Sequence, residues 1–114
     1  MLRKCIWILS VEEKKLSNQK FSMSLTRIEL RILVIFLEQP KQAISHYSIA
    51  ERLGKNPDTY KGICMCIGRV NTKFKKLTGG DKLFVSIRNR GFYLKQAILL
   101  FEVAQAFGWV SEPN

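Results

Sequence analysis

The feature that most constrains the fold is a pair of helical patterns separated by only three residues. Ser45 is a good cap for a short helix over His46–Leu53, with Ile49 and Leu53 four apart on one face and Gly54 closing it. Lys55-Asn56-Pro57 follows, and Asp58 then opens a second, longer helix predicted over 58–77, DTYKGICMCIGRVNTKFKKL. Its carboxylate is placed to accept a hydrogen bond from a free first-turn N–H. A connector this short makes the two helices pack as immediate neighbours at a sharp turn.

The second helix has two unlike faces. Ile63, Ile67, Val70 and Phe74 recur at spacings of four, three and four, which keeps one narrow apolar stripe toward a core. At roughly 100° per residue the opposite face carries Lys61, Met65, Gly68, Arg69, Thr72 and Lys76. Such a face suits a duplex groove: Arg forks onto guanine, Thr bonds to a base or phosphate, and Met meets a thymine methyl. The blander reading is a solvated surface covered by long basic stems. The charge balance favours the groove. The chain holds 19 Lys and Arg against 9 Asp and Glu, and residues 58–95 alone carry 9 basic and 2 acidic residues. That excess is the electrostatic footprint of a polyanion partner. A membrane surface fits less well, because the cations are not paired with an exposed Trp/Leu face.

At 114 residues there is one hydrophobic core and no room for a second folded unit. No apolar run reaches the ~18 residues of a membrane span, and the start, MLRKCIWILSVEEKK, does not read as a signal peptide. A cytoplasmic chain with reduced thiols is expected from its three cysteines. Cys64 and Cys66 point about 160° apart on a helix, so they share no ion, and a single His makes no zinc set. His46 reads as a surface or capping residue. Neither a nucleophile–base pair, a carboxylate dyad nor a phosphate loop is evident, so we expect no enzyme, no metal and no cofactor.

The flanking segments complete an α+β chain. Arg3–Leu9 reads as a strand with Trp7 and Leu9 on one side and Ile6 and Ile8 on the other. Lys20–Leu25 alternates with Phe21, Met23 and Leu25 inward, and Leu16 begins or bridges a strand between them, giving a small antiparallel sheet. Thr26-Arg27-Ile28-Glu29 fits a capping box, opening a helix that is apolar on most sides and ends at Pro40. After Leu77, Leu83–Ile87 and Phe92–Leu94 make a hairpin whose tip, Arg88-Asn89-Arg90-Gly91, offers residues that tolerate positive φ and two arginines for a minor groove or its phosphates. In the last segment, 96–114, Leu99, Val103, Ala106, Phe107 and Val110 fall on one helical stripe, predicting an amphipathic helix that packs on its own domain or on a partner protein, including a second copy.

This order of elements resembles the OmpR/PhoB-type winged helix-turn-helix domain over about Leu25–Leu94. The residues that carry the resemblance are Leu25-Thr26-x-x-Glu29 before the apolar helix, Ser45 at the second helix, and Phe74-Lys75-Lys76, similar to the family's L-R-x-K. Ser86-Ile87-Arg88-Asn89-Arg90-Gly91-Phe92-Tyr93-Leu94 is similar to its T-V-R-G-x-G-Y-x-L wing. The resemblance implies a transcription regulator with helix 58–77 in the major groove and wing 83–94 at the minor groove of double-stranded DNA. It puts Thr72, Lys73 and Lys75 at positions of DNA contact and matches Arg88 to the wing arginine. Asn71 stands where the family has an apolar residue and Asn89 where it has glycine, and no receiver domain or phosphoacceptor aspartate is matched. The expected architecture is a winged helix-turn-helix domain over 1–95, with a small N-terminal antiparallel sheet, three-helix core and β-hairpin wing, followed by a helical tail over 96–114. In this reading Leu99, Val103, Phe107 and Val110 form a dimer or partner contact. The alternative function is a protein-interaction module on the same scaffold, modulating another regulator with weak or no DNA binding.

Overall fold

The computed structural model describes residues 6–39 and 41–101. They form six strands and three helices: β1 (Ile6–Ser10), β2 (Lys15–Ser17), β3 (Ser22–Ser24), α1 (Arg27–Glu38), α2 (His46–Arg52), α3 (Gly62–Thr78), β4 (Phe84–Ile87), β5 (Gly91–Leu94) and β6 (Ala97–Phe101). This is the winged helix-turn-helix arrangement expected of the sequence, with one strand added.

β1, β2 and β3 form an antiparallel meander in which Leu9 faces Leu16 and Leu16 faces Met23. Side chains alternate across a strand, so Trp7, Leu9, Leu16 and Met23 are buried while Ile6, Ile8, Ser22 and Ser24 are exposed. Asn18 closes the β2–β3 turn by accepting hydrogen bonds on Oδ1 from the Lys20 and Phe21 amides, at 2.8 and 2.7 Å.

α1 begins at the capping box read from the sequence. The Glu29 amide donates to Thr26 Oγ1 at 3.2 Å, and the Thr26 amide donates to Glu29 Oε1 at 2.9 Å. Leu30, Ile32, Leu33, Ile35 and Phe36 of α1 are buried, making it the centre of the core. Phe36 packs on Phe84 with ring centroids 5.0 Å apart, and Trp7 packs on Phe74 at 4.9 Å, so both sheets close on the helices. α2 is capped by Ser45, whose Oγ accepts from the Ser48 amide at 3.1 Å.

Two expectations need correction. The third helix starts at Gly62, and Asp58 is not its cap. Asn56 takes up the intervening donors: its Oδ1 accepts from the Asp58 amide, and its carbonyl accepts from the Thr59 and Tyr60 amides. The chain therefore makes a separate turn around Pro57 before Lys61 leads into α3, with no side-chain cap. The second correction concerns the tail. Ala97–Phe101 is a strand, not the start of a helix, and it pairs in parallel with β1, Ile6 opposite Ala97 through Ser10 opposite Phe101. A run as short as AILLF satisfies either period, and the free edge of β1 decides it by supplying hydrogen-bonding partners for alternate residues of the strand. Val103, Phe107 and Val110 lie outside the described residues. The four-stranded sheet has the order β3-β2-β1-β6.

Candidate nucleic-acid interface

α3 is held on three sides, its inner face and both flanks. Ile63, Cys66, Ile67, Val70 and Phe74 are buried against α1, α2 and the sheet. On one flank, the Asn71 side chain clamps the helix to the wing. Its Oδ1 accepts from the Leu83 and Phe84 amides at 3.1 and 2.9 Å, and its Nδ2 donates to the Phe84 carbonyl at 3.0 Å. On the other flank, Lys73 Nζ reaches Glu29 Oε1 at 2.8 Å and the Ser24 carbonyl at 3.1 Å. Glu29 is only 3% exposed, so this ammonium neutralises a buried carboxylate that also caps α1. At position 71, where the resembled family has an apolar residue, this chain places a polar bracket, and Lys73, one of the candidate DNA contacts, is occupied at the base of α1.

The remaining candidates on α3 face solvent. Lys61, Met65, Gly68, Arg69, Thr72, Lys75 and Lys76 are all exposed, Met65 by 64%. A Cβ added at Gly68 would meet nothing within 4 Å, so the surface there is open as well as low. Thr72 Oγ1 donates to the Gly68 carbonyl at 2.9 Å, which fixes the hydroxyl with its lone pairs outward. Arg69 Nη2 lies 3.5 Å from Cys66 Sγ. Among the described residues no carboxylate pairs with Lys61, Arg69, Lys75 or Lys76; the ion pairs are Arg52 with Glu38, Lys73 with Glu29, and Lys95 with Asp81. Met65, Gly68, Arg69, Thr72 and Lys73 line a shallow cleft against Thr26 and Glu29 at the start of α1.

The wing is tied to the helical body at its base and near its tip. Phe92 exchanges two backbone hydrogen bonds with Ile44, at 2.8 and 3.0 Å, just before α2. Gly91 makes this approach possible: with φ of 110°, a Cβ there would collide with the Ile44 carbonyl and Ser45 Cα. Asn89 takes φ of 64° at the tip, and Arg88, Asn89 and Arg90 are exposed. Arg90 also lines a cleft with Ser45, Ser48, Glu51 and Arg52, bringing it beside α2. At the base, Lys95 Nζ lies 3.1 Å from Asp81 Oδ1. The backbone amide of Lys82 and the Lys95 ammonium hold the Asp81 carboxyl below the usual carboxylate range.

His46 is exposed, Cys64 exposed and Cys66 buried, and no His/Cys/Asp/Glu group among the described residues comes together as a metal set. No helix among them is long and apolar enough to cross a membrane. The residues missed in the sequence are Asn71 as a bracket and the Glu29–Lys73 pair. Their partners lie 12 to 44 positions away, beyond any local pattern.

Several solved structures share this fold. The DNA-binding domain of the response regulator AdeR, in complex with an intercistronic region, superposes with a TM-score of 0.65 at 16% identity, covering 84% of this chain and 99% of that one. The DNA-binding domain of CpxR from E. coli gives 0.64 at 21% identity over 84% of this chain and 96% of that one. The C-terminal domain of the nisin resistance regulator NsrR, a lantibiotic response regulator, gives 0.53 at 27% identity over 74% and 86%. No family model and no curated protein sequence matches the chain. The architecture is therefore that of the OmpR/PhoB-type response-regulator domains, and these structural neighbours are regulator domains rather than enzymes.

Proposed function

We propose that the chain is a sequence-specific, double-stranded DNA-binding transcription regulator of the cytoplasm, with α3 in the major groove and the β4–β5 wing at the minor groove. The observation that carries the reading is the exposed outer face of α3. Its 17 residues are pinned on the inner face and both flanks, and the outer face presents cations without carboxylate partners among the described residues. At ~1.5 Å per residue α3 is about 25 Å long, enough to follow a groove. In this reading Arg69 is the base-reading fork, Thr72 and Met65 contact neighbouring base edges, and Gly68 lets the helix backbone come close. Lys61, Lys75 and Lys76 meet phosphates, as do Arg88, Asn89 and Arg90 at the wing. Lys73 acts chiefly by positioning α3 on α1.

The test is selection from a randomised duplex pool at about 150 mM salt, with Arg69→Ala and Arg88→Ala beside the unmodified chain. An enriched motif is expected, blurred by Arg69→Ala at a cost of about 1–3 kcal/mol. With ~5 phosphate contacts, log affinity falls with log salt at a slope of about −4 to −5. Weak, salt-sensitive binding with no enriched motif would overturn sequence-specific binding in favour of a protein-interaction module on the same scaffold.

A further inference from the structure

We infer that β6 is a pairing edge for a second copy of this chain, continuing the four-stranded sheet across a two-fold axis at Leu99. The inference is independent of DNA binding. It starts from the unlike edges of the sheet. β3, at one edge, is three residues long, reads Ser-Met-Ser, and is preceded by Lys20. Short polar edges with a nearby lysine resist further pairing. β6, at the other, is five residues long, Ala-Ile-Leu-Leu-Phe, with no charge, proline, glycine or bulge. Among the described residues no strand lies on its outer side.

The backbone shows which groups that edge offers. The Phe101 carbonyl accepts from the Val11 amide at 3.2 Å, so Phe101 points its polar groups toward β1. Backbone direction alternates along a strand, so Ala97 and Leu99 do the same, while Ile98 and Leu100 present their N–H and C=O groups to the open edge. An antiparallel copy centred on Leu99 places Ile98 opposite the second copy's Leu100. These are the outward-pointing residues, and the two symmetric pairs form four hydrogen bonds. Leu99 then meets Leu99 in a non-hydrogen-bonded pair, where side chains come closest.

The side chains complement one another in the same register. β6 is in parallel register with β1, so Ala97, Leu99 and Phe101 share the outer face with the exposed Ile6 and Ile8. Leu99 is 60% exposed, Leu100 43% and Phe101 47%. Across the axis the small Ala97 faces the large Phe101, twice, and Ile98 faces Leu100. The apolar outer patches of the two copies become continuous. Trp7 packs on α3 from the opposite face of the sheet, so the pairing leaves the basic face of α3 open.

The test is sedimentation of the full chain over a roughly hundredfold dilution series, with hydrogen exchange read at both ends. The expected result is a dimer that dissociates on dilution, with the Ile98 and Leu100 amides protected only at high concentration. Leu99→Lys sets two like charges at the axis and is expected to weaken the dimer at least tenfold, whereas Ser24→Lys at the other edge leaves it unchanged. A monomer at the highest concentration, protection of Ile98 and Leu100 that does not vary with concentration, or a dimer unmoved by Leu99→Lys in a folded protein would overturn the inference. Should Leu99→Lys fail to fold, exchange in the unmodified chain decides.

Discussion

The two sides of α3 are restrained in different ways, and the contrast shows how a small domain separates stability from recognition. The inner side is held by packing, with Phe74 fully buried against Trp7, and the flanks are held by directed polar contacts from Asn71 and Lys73. The outer side carries the exposed cations Lys61, Arg69, Lys75 and Lys76 and is held by almost nothing, apart from the Thr72 and Arg69 contacts within the helix itself. A helix fixed this way has its outer side chains free to choose partners at little cost to the fold.

The largest break in this contrast is Phe74→Ala. Removing a fully buried ring is expected to cost about 3–5 kcal/mol, measured by urea unfolding. Lys73→Met comes next. It leaves the buried Glu29 carboxylate without its ammonium and is expected to cost about 1.5–3 kcal/mol, appearing as a lower urea midpoint. An unchanged midpoint would return Lys73 to the solvent-facing set. Asn71→Ala is expected to cost about 1–3 kcal/mol, because the Leu83 and Phe84 amides lose their acceptor, and amide exchange should quicken first at the base of the wing. Lys76→Ala is the smallest: stability within about 0.5 kcal/mol of the unmodified chain, with the salt slope of DNA binding reduced by about one.

Much of this arrangement was legible from the sequence wherever it depended on neighbours along the chain. The Thr26–Glu29 capping box, the alternation around Trp7 and Leu9, the Ser45 cap and the Asn89–Gly91 tip each involve residues within about four positions, where backbone geometry limits the choices. Asp58 is a good cap in isolation, but the Asn56 carbonyl takes the Thr59 and Tyr60 amides of the turn that such a cap would serve, and α3 starts later, at Gly62. β6 differs from its helical reading for another reason. Leu99 continues a helical spacing through Val103, Phe107 and Val110, and the stronger claim on it comes from Ile8 in β1, 91 residues earlier. The helical period places Lys76 on the outer face of α3 and leaves Lys73 off it; Lys73 joins the contact set only through the family resemblance, and the buried Glu29 that claims it belongs to another helix, beyond any local pattern.

The parallel pairing of β1 with β6 has a consequence for how the chain is made. Ile6 and Ala97 are partners, so 91 residues separate them. At ~5–20 residues per second, a ribosome takes about 5–20 s to deliver the fourth strand after the first has been synthesised. During that interval the β1–β2–β3 meander can assemble from local contacts, but one side of β1 has no strand beside it, with Ile6 and Ile8 next to the vacancy. The nascent chain therefore passes through a stage in which that edge of β1 is on view, and β6, the last strand among the described residues, is the one that covers it.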